Sequence, residues 1–527
     1  MLEFYPFPKH RPGTKEVLIA VRKALEAGKK FVVIKAPAGS GKSALAVAIA
    51  RSEKAVVLTP TKILQDQYES TKVFSSEYTI KGKSNYKCGL KGFKKVTVDQ
   101  AICCSNAVTA DNVDMTPWAS SLTGSKNPAA VLKGKCVAAG HCEYYQLLHG
   151  ISQRPGAIMN YDLAFLIKKR PGANEGIDLG QTIVLDEAHQ LPGKIKSIFG
   201  FSLSNSSASK TLGMIAKRKS GESPLDWLTR LYALAQRQAT EETNLGKASE
   251  ISQFISKLES VLKLDISDEY KFHIEDERSK IEIKPLNMRY LKGMVFYPFK
   301  HVIMMSATIP PNFCDLLGLK PDETEIIEMP SSFPSENRPV IFVNNLEPLN
   351  YRTQLHREHP TIKAVQVILD RHKGEKGIIH CSNYRIFEEL KKAYPRNARF
   401  IWVERGEDKT KAVKKHSDSD KDTVLVSPSM LEGVDLKDSL ARFQIMLKLP
   451  YARLDDYTKK MMKIYKGYYE ADVIMNIMQA YGRAIRTETD HAVFYILDGA
   501  FHRLLQNSKA LPVYLTEALK SCKLEGI

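Results

Sequence analysis

The sequence predicts an α/β protein built as two doubly wound parallel-sheet lobes, and three observations carry that reading. A β-branched run, a glycine-rich turn and an apolar helix follow one another in FVVIKAPAGSGKSALAVAIA, residues 31–50. A second apolar run, TIVLDEAHQL at 182–191, ends in paired carboxylates. A strand, turn and helix pattern returns in the C-terminal half as GIIHCSNYRIFEEL, 377–390, with an arginine-bearing helical segment, IMQAYGRAIRTETD, at 477–490. Strands alternating with helices in this way build parallel sheets covered on both faces.

Size and charge set the bounds. A chain of 527 residues makes roughly three or four compact units. Its 77 Lys and Arg against 59 Asp and Glu leave a net charge of +18, which favours a polyanionic partner such as nucleic acid over an acidic or neutral one. No apolar run of about twenty residues occurs, and Met1–His10 has neither a basic nor an apolar leader region. The expectation is an intracellular, cytoplasmic protein, at a nucleoid or in a host cell, with no membrane partner.

The glycine-rich turn has the composition of a phosphate-binding loop. Small residues at Ala38, Gly39, Ser40 and Gly41 let backbone N–H groups close around phosphate oxygens at a helix N-terminus, while Lys42 supplies a point charge and Ser43 a hydroxyl for Mg²⁺. Ala36 stands where the usual pattern has glycine. The flanking strand and helix argue against a turn that binds nothing. In the second run, Asp186 and Glu187 fall at the carboxyl edge of a parallel sheet, beside the loop. Asp186 can hold Mg²⁺ there, and Glu187 can orient or deprotonate an attacking water.

In the C-terminal segment Gln479, Gly482, Arg483 and Arg486 are spaced i, i+3, i+4 and i+7, so they share one face of a helix. Pressed against a triphosphate on the first lobe, Arg483 and Arg486 would stabilise charge on the transferring phosphoryl group. The blander reading is an exposed basic face.

With these features in order, the chain resembles the XPD/DinG family of superfamily 2 helicases. VLTPTKILQDQ (57–67) is similar to motif Ia, with Thr59 and Gln67 near the nucleic-acid path, and AIMNYDLAF (157–165) resembles the segment that carries an asparagine, here Asn160. HVIMMSATIP (301–310) is similar to motif III, in which Ser306, Ala307 and Thr308 link the nucleotide and nucleic-acid sites. VLVSPSMLEGVDLKD (424–438) resembles motif V, with Glu432, Gly433 and Asp435, and KLPYARLDD (448–456) resembles the segment after it. The resemblance implies two RecA-like lobes and catalytic roles for Lys42, Asp186, Glu187, Gln479, Arg483 and Arg486. Asp435 joins the nucleotide contacts, and Thr308 joins Thr59, Gln67 and Asn160 on the nucleic-acid side.

It implies, further, an ATP- and Mg²⁺-dependent monomeric motor of DNA repair or replication, moving 5′ to 3′ on single-stranded DNA and opening forks or single-strand/duplex junctions, with RNA–DNA hybrids as a further substrate. Two other readings are a translocase that displaces proteins or R-loops without processive unwinding, and a nucleotide-controlled binding module. One departure stands out. Many superfamily 2 enzymes carry a glutamine that reads adenine where this chain has Thr14, after Arg11-Pro12-Gly13. Tyr5 and Phe7 could stack on the base or could be core contacts.

Five of the eight cysteines, Cys88, Cys103, Cys104, Cys136 and Cys142, fall in one segment, which in a reducing compartment suggests a metal site. The family carries a four-cysteine [4Fe-4S] domain at this place, which implies Cys88, Cys103, Cys136 and Cys142 as ligands, with Cys104 the alternative to Cys103. Zinc takes four thiolates equally well, and His141 could replace one sulfur. Lysines 81, 83, 87, 91, 94, 95, 133 and 135, interspersed with Tyr86 and Phe93, suit a single strand's backbone and bases, or simply solvate a small domain. The expected organisation is lobe one at 1–80, 151–194 and 301–335, a cysteine-rich domain at 81–150, a helical arch at 195–300, and lobe two at 336–527. KKHSDSDKD (414–422) is expected to be a loop.

Overall fold

The computed structural model describes residues 1–37, 39–71, 79–90, 96–99, 101, 128–169, 177–242, 245–277, 279–297, 299–331, 333–428, 436, 438–485, 490–506 and 511–527. Two seven-stranded sheets organise it. In the first, the strands Thr324–Glu328, Phe31–Lys35, His301–Ser306, Thr182–Asp186, Val56–Thr59, Ile158–Asn160 and Thr79–Ile80 lie side by side in that order, all parallel. Every residue of Val56–Thr59, Thr182–Asp186 and His301–Ser306 is buried, as central strands covered on both faces must be. The helix Lys42–Ser52 buries Ala44 through Ala50 without a break. Its small side chains let it sit close to the sheet that positions it.

The second sheet runs Phe400–Trp402, Val424–Ser427, Gly377–His380, Phe443–Met446, Val493–Ile496, Val340–Val343 and Leu519–Cys522, again all parallel. The fold class expected from sequence is therefore the one observed. Among the described residues no helix is long and apolar enough to cross a membrane.

Two expectations need correction. The segment 195–300 is not purely helical. Its long helices Pro224–Glu241 and Leu245–Leu262 accompany an antiparallel sheet of Phe201–Ser204, Lys280–Pro285 and Phe272–Glu277. The alternation in KIEIKP buries Ile281, Ile283 and Pro285 on one face, a period of two that suits a strand. The polar run at 414–422 is also no simple loop. The helix Lys409–Asp418 takes its first half, capped by Asp408, whose carboxylate accepts from the Thr410 amide at 2.9 Å.

The lobes are joined by more than the chain. Tyr457, Met461 and Tyr465, on and just after the helix Asp456–Ile464, belong to the same core as the first sheet and the three-stranded sheet. The Tyr457 hydroxyl donates to the Pro285 carbonyl at 2.9 Å, and Lys196 stands 4.0 Å over its ring.

Candidate active site

A cleft of about 730 Å³ opens between the two lobes, and the strand ends of the first sheet build its floor. The phosphate loop turns through Gly39 (φ +75°) and Gly41 (φ +90°) before entering the helix at Lys42. That left-handed backbone costs an L side chain about 1–2 kcal/mol per residue, and a Cβ at Gly41 would also meet the Arg11 side chain at 3.3 Å. Arg11 braces the loop by donating to the Gly39 carbonyl. Glycine is required at both places if the loop's N–H groups are to converge on an anion. Ala38 lies outside the described residues.

The acids sit opposite. Asp186 ends its strand 2 % exposed. Its Oδ2 accepts from the Tyr68 hydroxyl at 2.8 Å, its Oδ1 accepts from the Glu187 amide at 2.9 Å, and its carbonyl accepts from the Tyr161 hydroxyl at 2.6 Å. Burial, and then the Glu187 charge, push the Asp186 carboxyl up. Glu187 takes a left-handed backbone (φ +51°) that aims it at Lys42, with Nζ and Oε1 3.8 Å apart. Burial would raise its carboxyl, but Lys42, with His189 and Ser306, outweighs it and holds Glu187 low.

Two adjacent acids, Asp186 buried and Glu187 half-buried, with one lysine beside them form a site short of positive charge, which is the complement a divalent cation supplies. The residues fit Mg²⁺, with Ser43, which hydrogen-bonds the same Tyr68, beside Asp186. Burial and the Asp186 charge push the Tyr68 hydroxyl well above its ordinary range, so it remains a proton donor to the carboxylate. Tyr68→Phe keeps the volume and deletes that bond. A hydrogen bond to a charged group is worth about 1.5 kcal/mol, roughly tenfold in an equilibrium, so the half-saturating Mg²⁺ for hydrolysis should rise by that factor. An Mg²⁺ titration of activity checks it, and an unmoved midpoint contradicts it.

The second lobe reaches into the same cleft. The Gln479 amide lies 3.0 Å from His189 Nε2 and donates to Thr308 Oγ1 at 3.1 Å. His189 Nδ1 in turn contacts Ser306 Oγ at 2.7 Å and Glu187 Oε2 at 3.2 Å, and Ser306 donates to Glu187 at 3.3 Å. A continuous polar chain thus runs from the carboxylate of one lobe to the helix of the other. Arg483 lines the cleft and stands 3.5 Å from Gln479 Oε1. The helix that carries Gln479 is Tyr468–Tyr481 and stops at Gly482, so Gly482 and Arg483 lie past its end and not on its continuing face. Arg486, Glu432, Gly433 and Asp435 lie outside the described residues.

The expected nucleic-acid residues are placed differently from one another. Thr59 is wholly buried, with its hydroxyl donating to the Thr61 carbonyl at 3.3 Å, so its side chain is not offered to a strand. Thr308 is 6 % exposed and engaged with Gln479. Asn160 accepts from the Leu163 amide at 2.8 Å and caps the helix that follows. Gln67 is exposed but lines the nucleotide cleft. Sequence reasoning missed Tyr68, Tyr161 and Lys409, the last a further cleft residue from the second lobe. The inward spacing of Gln65 and Tyr68 on the helix Lys62–Ser70 is the signal that could have shown the first of these.

Around the cysteines, Cys103 and Cys104 lie outside the described residues, as do Lys91, Phe93, Lys94 and Lys95. Among the described residues no three His, Cys, Asp or Glu side chains form a metal-binding group. Cys136 and Cys142 belong to the extended core of the first lobe, and Cys88 packs against that core. A Cβ on Gly89 would fall 2.0 Å from the His141 carbonyl oxygen, so the backbones beside Cys88 and Cys142 are in direct contact. The His141 amide donates to the Cys136 carbonyl at 2.9 Å. These backbone contacts bring the segments that carry Cys88, Cys136 and Cys142 together. The lysine collar is only partly available, because Lys81 is paired with Asp66 at 2.8 Å and Glu69 at 2.9 Å. Lys133 and Lys83 stand over the Tyr145 ring at 4.1 and 5.3 Å.

Comparison with known proteins agrees with this geometry. Residues 366–518 match the family described as helicase C-terminal domain, and residues 8–217 match that of the type III restriction enzyme res subunit. The ATP-dependent DNA helicase YoaA of Haemophilus influenzae is 22% identical over 592 aligned residues that cover 92% of this chain and 90% of that protein. Its Escherichia coli namesake is 21% identical, over 93% and 91%. Among solved structures, an XPD helicase superposes with a TM-score of 0.60 at 16% identity, covering 98% of this chain and 100% of the other. The Xpd4 structure from S. tokodaii gives 0.58 at 14%, covering 97% and 99%. At these identities the structures show a shared fold.

Proposed function

We propose that this chain, an XPD/DinG-type superfamily 2 protein, is an ATP-dependent DNA helicase whose two lobes close on the triphosphate and so move it along a single strand. The observation that carries the reading is the cleft itself. Lys42, Asp186 and Glu187 face it from one lobe and Gln479 and Arg483 from the other, and the His189–Gln479 contact of 3.0 Å ties the halves together.

The loop's N–H groups and Lys42 bind the phosphates, and Ser43 and Asp186 would hold Mg²⁺, which when bound supplies charge neutralisation at the transferring phosphoryl group. Glu187 orients the water in line with it. Nucleotide draws Lys42 off Glu187 and onto the phosphates, which frees the carboxylate to accept the water's proton. Arg483, with Arg486, answers the charge that develops when the lobes are shut, which couples chemistry to lobe movement. Because Asp186 is raised by burial and by Glu187, a proton competes there with the cation. Mg²⁺ affinity should therefore weaken as pH falls from neutral.

The preferred substrates of this reading are single-stranded DNA and forked or single-strand/duplex junctions, with RNA–DNA hybrids as a further class, opened 5′ to 3′ by a monomeric intracellular motor. Strand displacement and single-strand-stimulated hydrolysis, measured on one preparation, test it. Hydrolysis without displacement favours a translocase that strips proteins or R-loops, and neither activity overturns the motor.

Cys88, Cys136 and Cys142, with Cys103 or Cys104, would hold a [4Fe-4S] cluster, which would tie together segments that lie far apart in the chain. An anaerobic preparation is expected to contain iron and acid-labile sulfide in equal amounts, and Cys136→Ser to lose both. A colourless protein that contains zinc would contradict the assignment.

A further inference from the structure

Alternate residues of the segment 5–11 face the nucleotide cleft. Tyr5, Phe7, Lys9 and Arg11 all line it, on a segment that bends at residues 6–9. Tyr5 stacks on His10, with ring centroids 4.5 Å apart and planes at 17°, and meets Phe7 edge-on at 6.2 Å. Phe7 keeps 41% of its surface exposed. The shelf is fixed to the phosphate loop, since the Tyr5 hydroxyl lies 3.8 Å from where a Cβ on Gly41 would stand, and Arg11 holds the Gly39 carbonyl. Thr14, where an adenine-reading amide would be expected, is fully buried.

Beyond the Tyr5 hydroxyl, the segment's polar side chains toward the cleft are the Lys9 and Arg11 cations, which donate and never accept, and the Gln67 amide on the same cleft both donates and accepts. Guanine presents two acceptors on its major-groove edge, O6 and N7, whereas adenine presents one acceptor and an amino donor. A stacking shelf is indifferent to which base lies on it, and two cations beside an amide that can turn either way give adenine no preference.

We infer that the Tyr5–Phe7 shelf holds the base by stacking and that the site takes guanine nucleotides as readily as adenine nucleotides. This rests on the hydrolytic reading given above. The test is steady-state hydrolysis of ATP and GTP by the full-length protein with saturating single-stranded DNA, beside equilibrium binding of ADP and GDP to the same preparation. The expected result is a kcat/KM for GTP within about fivefold of that for ATP, and a similar ratio in binding. Phe7→Ala should raise KM for both about tenfold and Phe7→Trp should restore it. Lys9→Gln, which places an acceptor where a donor stood, should move the ratio toward ATP.

An ATP preference of about fiftyfold or more, or a KM that Phe7→Ala leaves in place, overturns the inference while the hydrolytic reading stands. A protein that binds both nucleotides equally and hydrolyses neither supports the shelf and overturns the hydrolytic reading instead.

Discussion

Glu187→Gln is expected to lower DNA-stimulated ATP hydrolysis by about a thousandfold while leaving nucleotide binding nearly intact. A positioned base contributes roughly 10²–10⁴ in rate, and here it is also the hub of the interlobe chain. Its carboxylate contacts Lys42, His189 and Ser306. Glutamine keeps the size and can still accept from Ser306, so the fold should hold. What disappears is the proton acceptor and the charge that holds Lys42 in the resting cleft. Turnover at saturating ATP, with binding of ADP measured on the same variant, separates these effects. A loss below tenfold would mean that another group activates the water.

Arg483→Ala should cost about as much, close to a thousandfold in kcat, because arginines that meet the γ-phosphoryl from an opposing domain contribute 10³–10⁵. The effect should fall on kcat and not on ATP affinity in the open state, since Arg483 reaches the phosphates only as the lobes close. It lines the cleft beyond the end of its helix, 3.5 Å from Gln479. If Arg483 were a solvated surface arginine, the variant would hydrolyse ATP within a few-fold of the parent, and a role in lobe closure would be excluded.

The sequence made the local parts of this site readable. A strand, a glycine turn and Lys42–Ser43 are contiguous, so their geometry follows from neighbours in the chain, and the run ending at Asp186–Glu187 behaves the same way. Gln479 and Arg483 were legible through spacing, although the spacing implied one continuous helix and the chain in fact stops it at Gly482. The contact between His189 and Gln479 spans 290 residues, and no local pattern encodes it.

Tyr68 looked like any helical tyrosine, because what distinguishes it is Asp186, brought to it by the sheet order. The helix Lys409–Asp418 was hidden for a different reason. It buries only Ala412 and His416, too few residues to leave a hydrophobic period. Tyr457, Met461 and Tyr465 do repeat at helical spacing, but nothing local says that they fill the core of the other lobe. In the cysteine segment, the pairing of Lys81 could not be read locally, because Asp66 and Glu69, which neutralise it, lie on a separate helix.

On the proposed function, the cleft's chemistry is gated by nucleic acid through closure of the two lobes. Its most direct test is the rate of ATP hydrolysis by the full-length protein as single-stranded DNA is titrated in. The expected result is a low rate without DNA that rises steeply and saturates, and that stays low in Arg483→Ala at every DNA concentration. A rate indifferent to DNA, or one that DNA still stimulates fully in Arg483→Ala, would contradict it.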